Sequence, residues 1–234
     1  LAAALQQMGN KILLIDLDPQ ANLTQALGFL EEPEPTIYDM LRAASMGEET
    51  NIEEAILSTG ELKLIPAALD LATAELELVS VYGREKLLTK LLAPIKKQYD
   101  YIFIDCPPAI GMLTVNALVA SDFVLMPLQA EYLPLKGVHA FMQTFRKIKN
   151  QLNEQLQVLG FVLTKYNKRK NMNKSILQKL QEDYGDKVFE TRIRENIALA
   201  TAQEKGVDIY RFNKTSNGAI DYLKLAHEFL HKIN

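Results

Sequence analysis

The sequence holds a single cysteine, Cys106, in 234 residues. No internal disulfide framework can form, and the composition fits a reducing cytoplasm. No run of about 18 apolar residues occurs, so nothing in the sequence is written to span a membrane as a helix. The charged-then-apolar opening of a secretion signal is absent as well. The three histidines, His139, His227 and His231, have no spacing that includes an acid or thiol partner, which leaves metal chemistry through imidazole without a basis. An initiating methionine is also missing. Methionine is trimmed only before small residues, so a chain that opens on Leu1 leads us to expect further residues upstream of it.

What is present is an ordinary core-forming composition, 48% hydrophobic and 24% charged, in a 26.4 kDa chain, enough to bury one domain's core. The net charge of −3 is unevenly spread. Residues 160–234 carry 14 Lys and Arg against 9 Asp and Glu, while the first 159 carry 12 against 20. A basic carboxyl-terminal third fits either an anionic partner or a mixed-charge solvated face.

Short apolar runs alternate with helical patterns, the signature of a parallel α/β sheet. Strands are expected at 12–17, 62–66, 101–106, 123–127 and 158–164, with a short edge at 187–191. Most are apolar on both sides, as strands covered by helices on both faces must be. Helices are expected from the opening "LAAALQQM", closed by Gly9, and from "TIYDMLRAA", capped by Thr36. "REKLLTKLLAPIKKQY" reads as one amphipathic helix kinked at Pro94. "PLKGVHAFMQTFRKIKNQL" places Val138, Phe141, Met142, Phe145 and Ile148 on one stripe. "NGAIDYLKLAHEFLHKI" does the same with Leu223, Ala226, Leu230 and Ile233. Few cations oppose that last stripe, so it reads as a docked helix and not as a membrane-surface anchor. The expected fold is a single doubly wound α/β domain over residues 1–234, with a mostly parallel sheet and helices on both faces.

Ligands of such sheets sit beyond the carboxyl ends of the strands. Asp16 and Asp18 fall there after the first strand, and Asp105 after the third. Carboxylates in that place suit the outer shell of a hydrated Mg²⁺, which takes oxygen ligands and keeps several waters. Each Asp could equally cap a helix or start a turn, as Asp-Pro does in "DLDPQ". Cys106 beside Asp105 reads as packing, since nothing nearby in sequence makes a thiolate.

Three segments, "KILLIDLDPQANLTQALG", "YDYIFIDCPPAIGMLTVNALVASDFVLMPLQAEYLPLKG" and "TRIRENIALATAQEKG", resemble the ParA/Soj group of partition ATPases, relatives of MinD with a deviant P-loop. The resemblance is collinear from residue 1 to about residue 230. It implies that Asp16 is the deviant Walker A′ acid near Mg²⁺ and its waters. It implies that Asp18 orients the water attacking the γ-phosphate, a positioning role that phosphoryl transfer needs. Asp105 would be the Walker B acid holding a Mg²⁺-bound water, and Pro107 and Pro108 would stiffen the switch after it. Asn167 in "LTKYN" would read the adenine edge, unless it only forms a turn before "KRK". Arg194 stands where many relatives carry proline beside the base. "PLQAEYLPLKG" matches a segment near the dimer face.

The resemblance further implies ATP and Mg²⁺ as cofactors and a homodimer formed on ATP. It implies nonspecific DNA binding, and a ParB-like or other cargo adaptor that stimulates hydrolysis. The protein would be cytoplasmic and nucleoid-associated, with no membrane partner. The candidate DNA surface is "KYNKRKNMNK", with Lys165, Lys168, Arg169, Lys170 and Lys174, together with Arg192, Arg211 and Lys214. A solvated loop explains the same charges. No aromatic interleaving suggests base stacking there.

One departure qualifies the resemblance. The family's strand, K-G-G-x-G-K-S/T loop and helix continue as "NLAAAL", whereas this chain opens at "LAAAL", and no G-x-x-x-x-G-K-S/T occurs in it. The expectation is that about two dozen residues precede Leu1. Taken alone, the 234 residues should bind ATP weakly or not at all. A homologue without a P-loop, acting as a dimerisation or partner-binding module, is the alternative. The cargo, whether plasmid, chromosome or another body, is set by the partner and is not written in these residues.

Overall fold

A computed structural model describes residues 1–130 and 134–233, without the side chains of 134–136. Residues 131–133 of the "PLQAEYLPLKG" segment therefore lie outside the described residues. The chain divides into two compact units. One comprises residues 2–120 and 202–208, and the other 121–201 and 209–234 with Leu1.

In the first unit, β1 (Ile12–Asp16) is buried at all five positions. It pairs in parallel with β3 (Leu62–Ile65) on one side and β4 (Tyr101–Asp105) on the other. A short strand that the sequence reading missed, β2 (Leu57–Thr59), pairs antiparallel to β3, giving the order β2-β3-β1-β4. Its "LST" is too short and too polar to show an apolar period, and its pairing with β3 alone defines it.

Helices α1 (Ala2–Gln7), α2 (Asn22–Ala26), α3 (Ile37–Met46), α4 (Leu71–Glu77), α5 (Leu87–Leu92) and α6 (Met112–Ala120) complete this unit. Alternation along β1 sends Leu13 and Ile15 into a core shared with Leu17, Ile37, Leu41 and Leu88, while α1 packs against β1 and β3. Gly9, at φ +89°, closes α1 as expected. Thr36 opens α3 with a reciprocal cap: its Oγ1 accepts from Tyr38 N at 3.2 Å, and Asp39 Oδ2 accepts from Thr36 N at 2.8 Å.

The helix expected over 84–99 is broken. It resolves into a 3₁₀ turn at Arg84–Lys86, α5, and a second turn at Lys96–Gln98. Pro94 ends the helix and does not kink it, since it supplies no N–H and crowds the preceding turn.

The second unit pairs β5 (Phe123–Gln129) in parallel with β6 (Gln157–Thr164), with a register shift after Val124. Its helices are α7 (Pro134–Gln151), α8 (Asn171–Tyr184), α10 (Ile209–Asn213) and α11 (Asn217–Ile233), while α9 (Ile197–Glu204) belongs partly to each stretch of chain. The edge expected at 187–191 is reduced to an isolated bridge between Phe161 and Val188.

In α11 the inward face carries Ala219, Leu225, Ala226 and Phe229, and Leu223 is 37% exposed. The face is turned from the expected stripe because Asp221 is buried to meet Arg194. β4 and β5 are also more open than two-sided apolar strands should be: each is an edge strand of its own sheet, and Phe123 is 42% exposed.

Candidate active site

β1 and β4 lie in register so that Asp16 stands opposite Asp105, and Leu17 N extends the ladder by donating to Asp105 O at 2.8 Å. The two strand ends thus deliver carboxylates side by side, with Asp18 two residues further on.

The three acids differ in setting. Asp16 is fully buried. Its Oδ2 accepts from Thr24 N at 2.8 Å and Thr24 Oγ1 at 2.7 Å, and its Oδ1 accepts from Asp18 N at 3.2 Å. Thr24 Oγ1 in turn accepts from Ala67 N at 3.1 Å, so the chain after β3 is tied to the end of β1. Desolvation holds the Asp16 carboxyl above its ordinary pKa despite these donors. Thr24, absent from the sequence reading, is the residue that makes this burial tolerable. It had no local signal beyond standing eight residues along.

Asp18 is partly exposed. Its Oδ1 accepts from Gln20 N at 3.0 Å, closing the turn that "DPQ" announces, and its Oδ2 accepts no hydrogen bond among the described residues.

Asp105 reaches the surface. Protein atoms nevertheless wall its carboxyl, and that desolvation, followed by the charges of Asp16 and Asp18, pushes its pKa up to about 6. Burial and the neighbouring Asp105 and Asp18 charges push the Cys106 thiol up to about 12, which keeps it an unreactive packing group.

The segment after Asp105 is held by a residue the sequence did not point to. Glu75 of α4 accepts from Met112 N at 2.7 Å and Leu113 N at 3.0 Å, closing the amino end of α6 with a full carboxylate. Gly111 leaves the room for this, because a Cβ there would collide with the Glu75 carboxylate. A partner 37 residues upstream leaves no trace in local pattern.

Among the described residues no group of three or more His, Cys, Asp or Glu is placed to hold a metal directly. The carboxylates fit an ion that keeps its waters, because hydrated Mg²⁺ needs only outer oxygen acceptors and its charge would relieve their mutual repulsion.

In the second unit, a bridge between Tyr166 and Arg194 sets the "KYN" and "RIREN" segments side by side, with Tyr166 N donating to Ile193 O at 3.0 Å. Asn167 and Arg194 are thereby neighbours. Asn167 Oδ1 accepts from Arg169 N at 2.9 Å, and its N–H donates to Asn173 Oδ1 at 2.7 Å. Its amide oxygen therefore forms a turn, which leaves the Nδ2 donors for any ligand. Arg194 is clamped: Nε and Nη2 donate to Asp221 Oδ2 and Oδ1, both at 2.8 Å, and its pKa rises through that pairing.

Of the basic residues, Lys168, Arg169, Lys170 and Lys174 are exposed on the loop before α8 and on its first turn. Arg211 and Lys214 are exposed at the end of α10 and just past it. Arg192 is different. Its guanidinium carbon stands 5.4 Å from the Tyr166 ring centroid, and its Nε is buried, so much of it is packed.

A mostly parallel α/β fold with acids at the carboxyl ends of neighbouring strands is the class of open α/β sheet that binds its ligands beyond those ends. The model of an AAA domain family matches residues 1–158. The sporulation initiation inhibitor protein Soj of Bacillus subtilis is 38% identical over 231 residues, covering 97% of this chain and 89% of that protein. The chromosome-partitioning ATPase Soj of Treponema pallidum is 38% identical over 232 residues, covering 98% and 89%. Among solved structures, cobyrinic acid a,c-diamide synthase from Mycobacterium smegmatis, with bound ATP analog and magnesium, is 33% identical with a TM-score of 0.84, covering 100% of this chain and 87% of that one. The chain belongs to the ParA/Soj family of partition ATPases.

Proposed function

We propose that the protein is a Mg²⁺- and ATP-dependent partition ATPase, in which residues 1–234 form one nucleotide-binding domain. The observation that carries this reading is the registered pair Asp16 and Asp105 at two strand ends, with Asp18 beside them. Asp105 would hold a Mg²⁺-bound water, and the unengaged Oδ2 of Asp18 would orient the attacking water. Asp16, its oxygens taken by Thr24 and Asp18, would fix the Asp18 backbone next to the ion's waters. Asn167 would offer Nδ2 to the base, with Arg194 held beside it by Asp221. When bound, Mg²⁺ would supply charge to the phosphates that these acids cannot approach alone.

The same reading has the ATP state dimerise, coat DNA nonspecifically through Lys168, Arg169, Lys170, Lys174, Arg211 and Lys214, and answer to a ParB-like or other cargo adaptor. It works in the cytoplasm, on the nucleoid. Among the described residues no helix is long and apolar enough to cross a membrane.

The second reading is a non-catalytic dimerisation or partner-binding module. A calorimetric titration of the protein with Mg·ATP separates the two. One nucleotide bound per chain supports the ATPase, and Asp18→Ala should then abolish phosphate release while leaving binding within about threefold. Absence of binding favours the module, and undiminished turnover in Asp18→Ala removes that residue from the chemistry.

A further inference from the structure

Asn173, in the first turn of α8, is 2% exposed. Ile176, one turn further along the helix, and Ala130, just past β5, belong to a buried apolar cluster with Leu163 and Leu180. An amide side chain in such surroundings has to be satisfied at both ends. Its Oδ1 accepts from Asn167 N at 2.7 Å, and its Nδ2 donates to Ala130 O. One buried side chain thus ties the "KYN" loop to the end of β5.

Helix capping does not account for this arrangement. Asn173 is the third residue of α8, the place from which a side chain ordinarily reaches back to the amide of its own N-cap residue. Here Lys170, at the N-cap, supplies no side-chain cap, and its N–H donates to Asn167 O at 3.0 Å. The Asn173 oxygen is used three residues earlier instead, on the loop. That loop is strained: Lys165 takes φ +48°, in the left-handed region that disfavours residues with a side chain. A backbone kept there is held by what surrounds it. Two successive amides do the holding, Tyr166 N on Ile193 O at 3.0 Å and Asn167 N on Asn173 Oδ1.

We propose that Asn173 is the positioning residue of the base-binding loop: by fixing the Asn167 amide against the end of β5, it aims the Asn167 Nδ2 donor and so sets how much the base adds to nucleotide affinity. The proposal rests on the reading that Asn167 meets the base. The Asn167 side chain is bound to its own turn through Arg169 N at 2.9 Å, so turn and donor move together, and whatever holds the turn aims the donor. Hydrogen bonds weaken steeply with misalignment, so a small rotation of the turn is enough to lose the contact. The three acids belong to the first unit, and the effect of Asn173 therefore falls on binding and not on the chemical step.

The measure is the ratio of affinities for Mg·ATP and Mg·tripolyphosphate, by calorimetry, because tripolyphosphate carries no base. Asn173→Ala should shrink that ratio by about tenfold, and the loss should appear in KM for ATP and not in kcat. Asn167→Ala should shrink it as much, and adding Asn173→Ala to it should shrink it no further, the mark of a residue that acts through Asn167. Asn173→Asp keeps the acceptor for Asn167 N but sets a carboxylate against Ala130 O. It should melt below the wild type yet keep most of the ratio, which a merely structural role could not do. Without nucleotide, hydrogen exchange at the Asn167 amide should quicken by about tenfold in Asn173→Ala and stay slow in Asn173→Asp. An unchanged ratio in Asn173→Ala while Asn167→Ala shrinks it overturns this proposal alone, as does equal loss in Asn173→Ala and Asn173→Asp. If the wild type binds ATP no better than tripolyphosphate, the reading of Asn167 fails and the proposal with it.

Discussion

Asp105 has a pKa of about 6 although its carboxyl reaches water, and the sign of that shift fixes how stability responds to pH. A carboxyl that ordinarily ionises near 3.8 keeps its proton longer in the folded chain, so the folded state binds more protons than the unfolded between pH 3.8 and about 6. Stability therefore falls as pH rises through that window, and the ionised group is a liability above it. Solvent screening at an exposed carboxyl reduces the effect to about 1 kcal/mol, or about 2–4 °C in a chain of this size. Asp105→Asn should raise the melting temperature by that amount at pH 7.5 without Mg²⁺, and the gain should vanish by about pH 4, as thermal melts across pH will show. Thr24 makes the opposite case. Thr24→Val removes the hydroxyl between Asp16 and Ala67 N, leaving a buried carboxylate and a buried amide short of partners. It should cost about 2–4 kcal/mol in urea unfolding, whereas Thr24→Ser keeps most of the stability. The three acids were legible in the sequence because an acid ending an apolar strand is a local pattern. Thr24, Glu75 and Asp221 were not, because each acts on partners 8 to 43 residues away that only the fold brings near.

Among the elements, the parallel strands could be read from their apolar runs to within two residues at most ends, and α3 from the Thr36 and Asp39 cap. Where expectation failed, a tertiary contact or a proline decided. Pro94 split the stretch 84–99, and the pairing of Asp221 with Arg194 turned α11 about its axis relative to the stripe its leucines suggested. α6 shows how such a contact can be tested. Its first amides donate to Glu75 in place of an N-cap side chain of its own. Glu75→Ala should cost about 1–2 kcal/mol, and hydrogen exchange at Met112 and Leu113 should quicken by about tenfold or more. Glu75→Gln, which keeps an acceptor, should fall between. If the exchange of both amides is unchanged in Glu75→Ala, another group closes the helix.

Across the whole molecule, charge is sorted: acids crowd residues 31–85 and cations the carboxyl-terminal third. The sequence displayed that sorting, but charge alone could not distinguish a binding face from a solvated one, because the difference lies in exposure and packing. The structure divides the candidates. Arg192 packs on Tyr166, so it has little freedom to follow a phosphate backbone, while Lys168, Arg169, Lys170 and Lys174 are exposed together around the start of α8. Nonspecific DNA binding by such a cluster rests on counterion release, in which each neutralised phosphate contributes about 0.9 to the slope of log K against log salt. Replacing Lys168, Arg169 and Lys170 by Ala together should therefore lower that slope by about 2–3. Arg192→Ala should alter it by less than about 1 and register mainly as lost packing in thermal melts. Filter-binding titrations from low to moderate salt measure both. A triple variant that keeps the full slope would place the DNA surface away from the loop before α8, with Arg211 and Lys214 on and beyond α10 the next residues to replace.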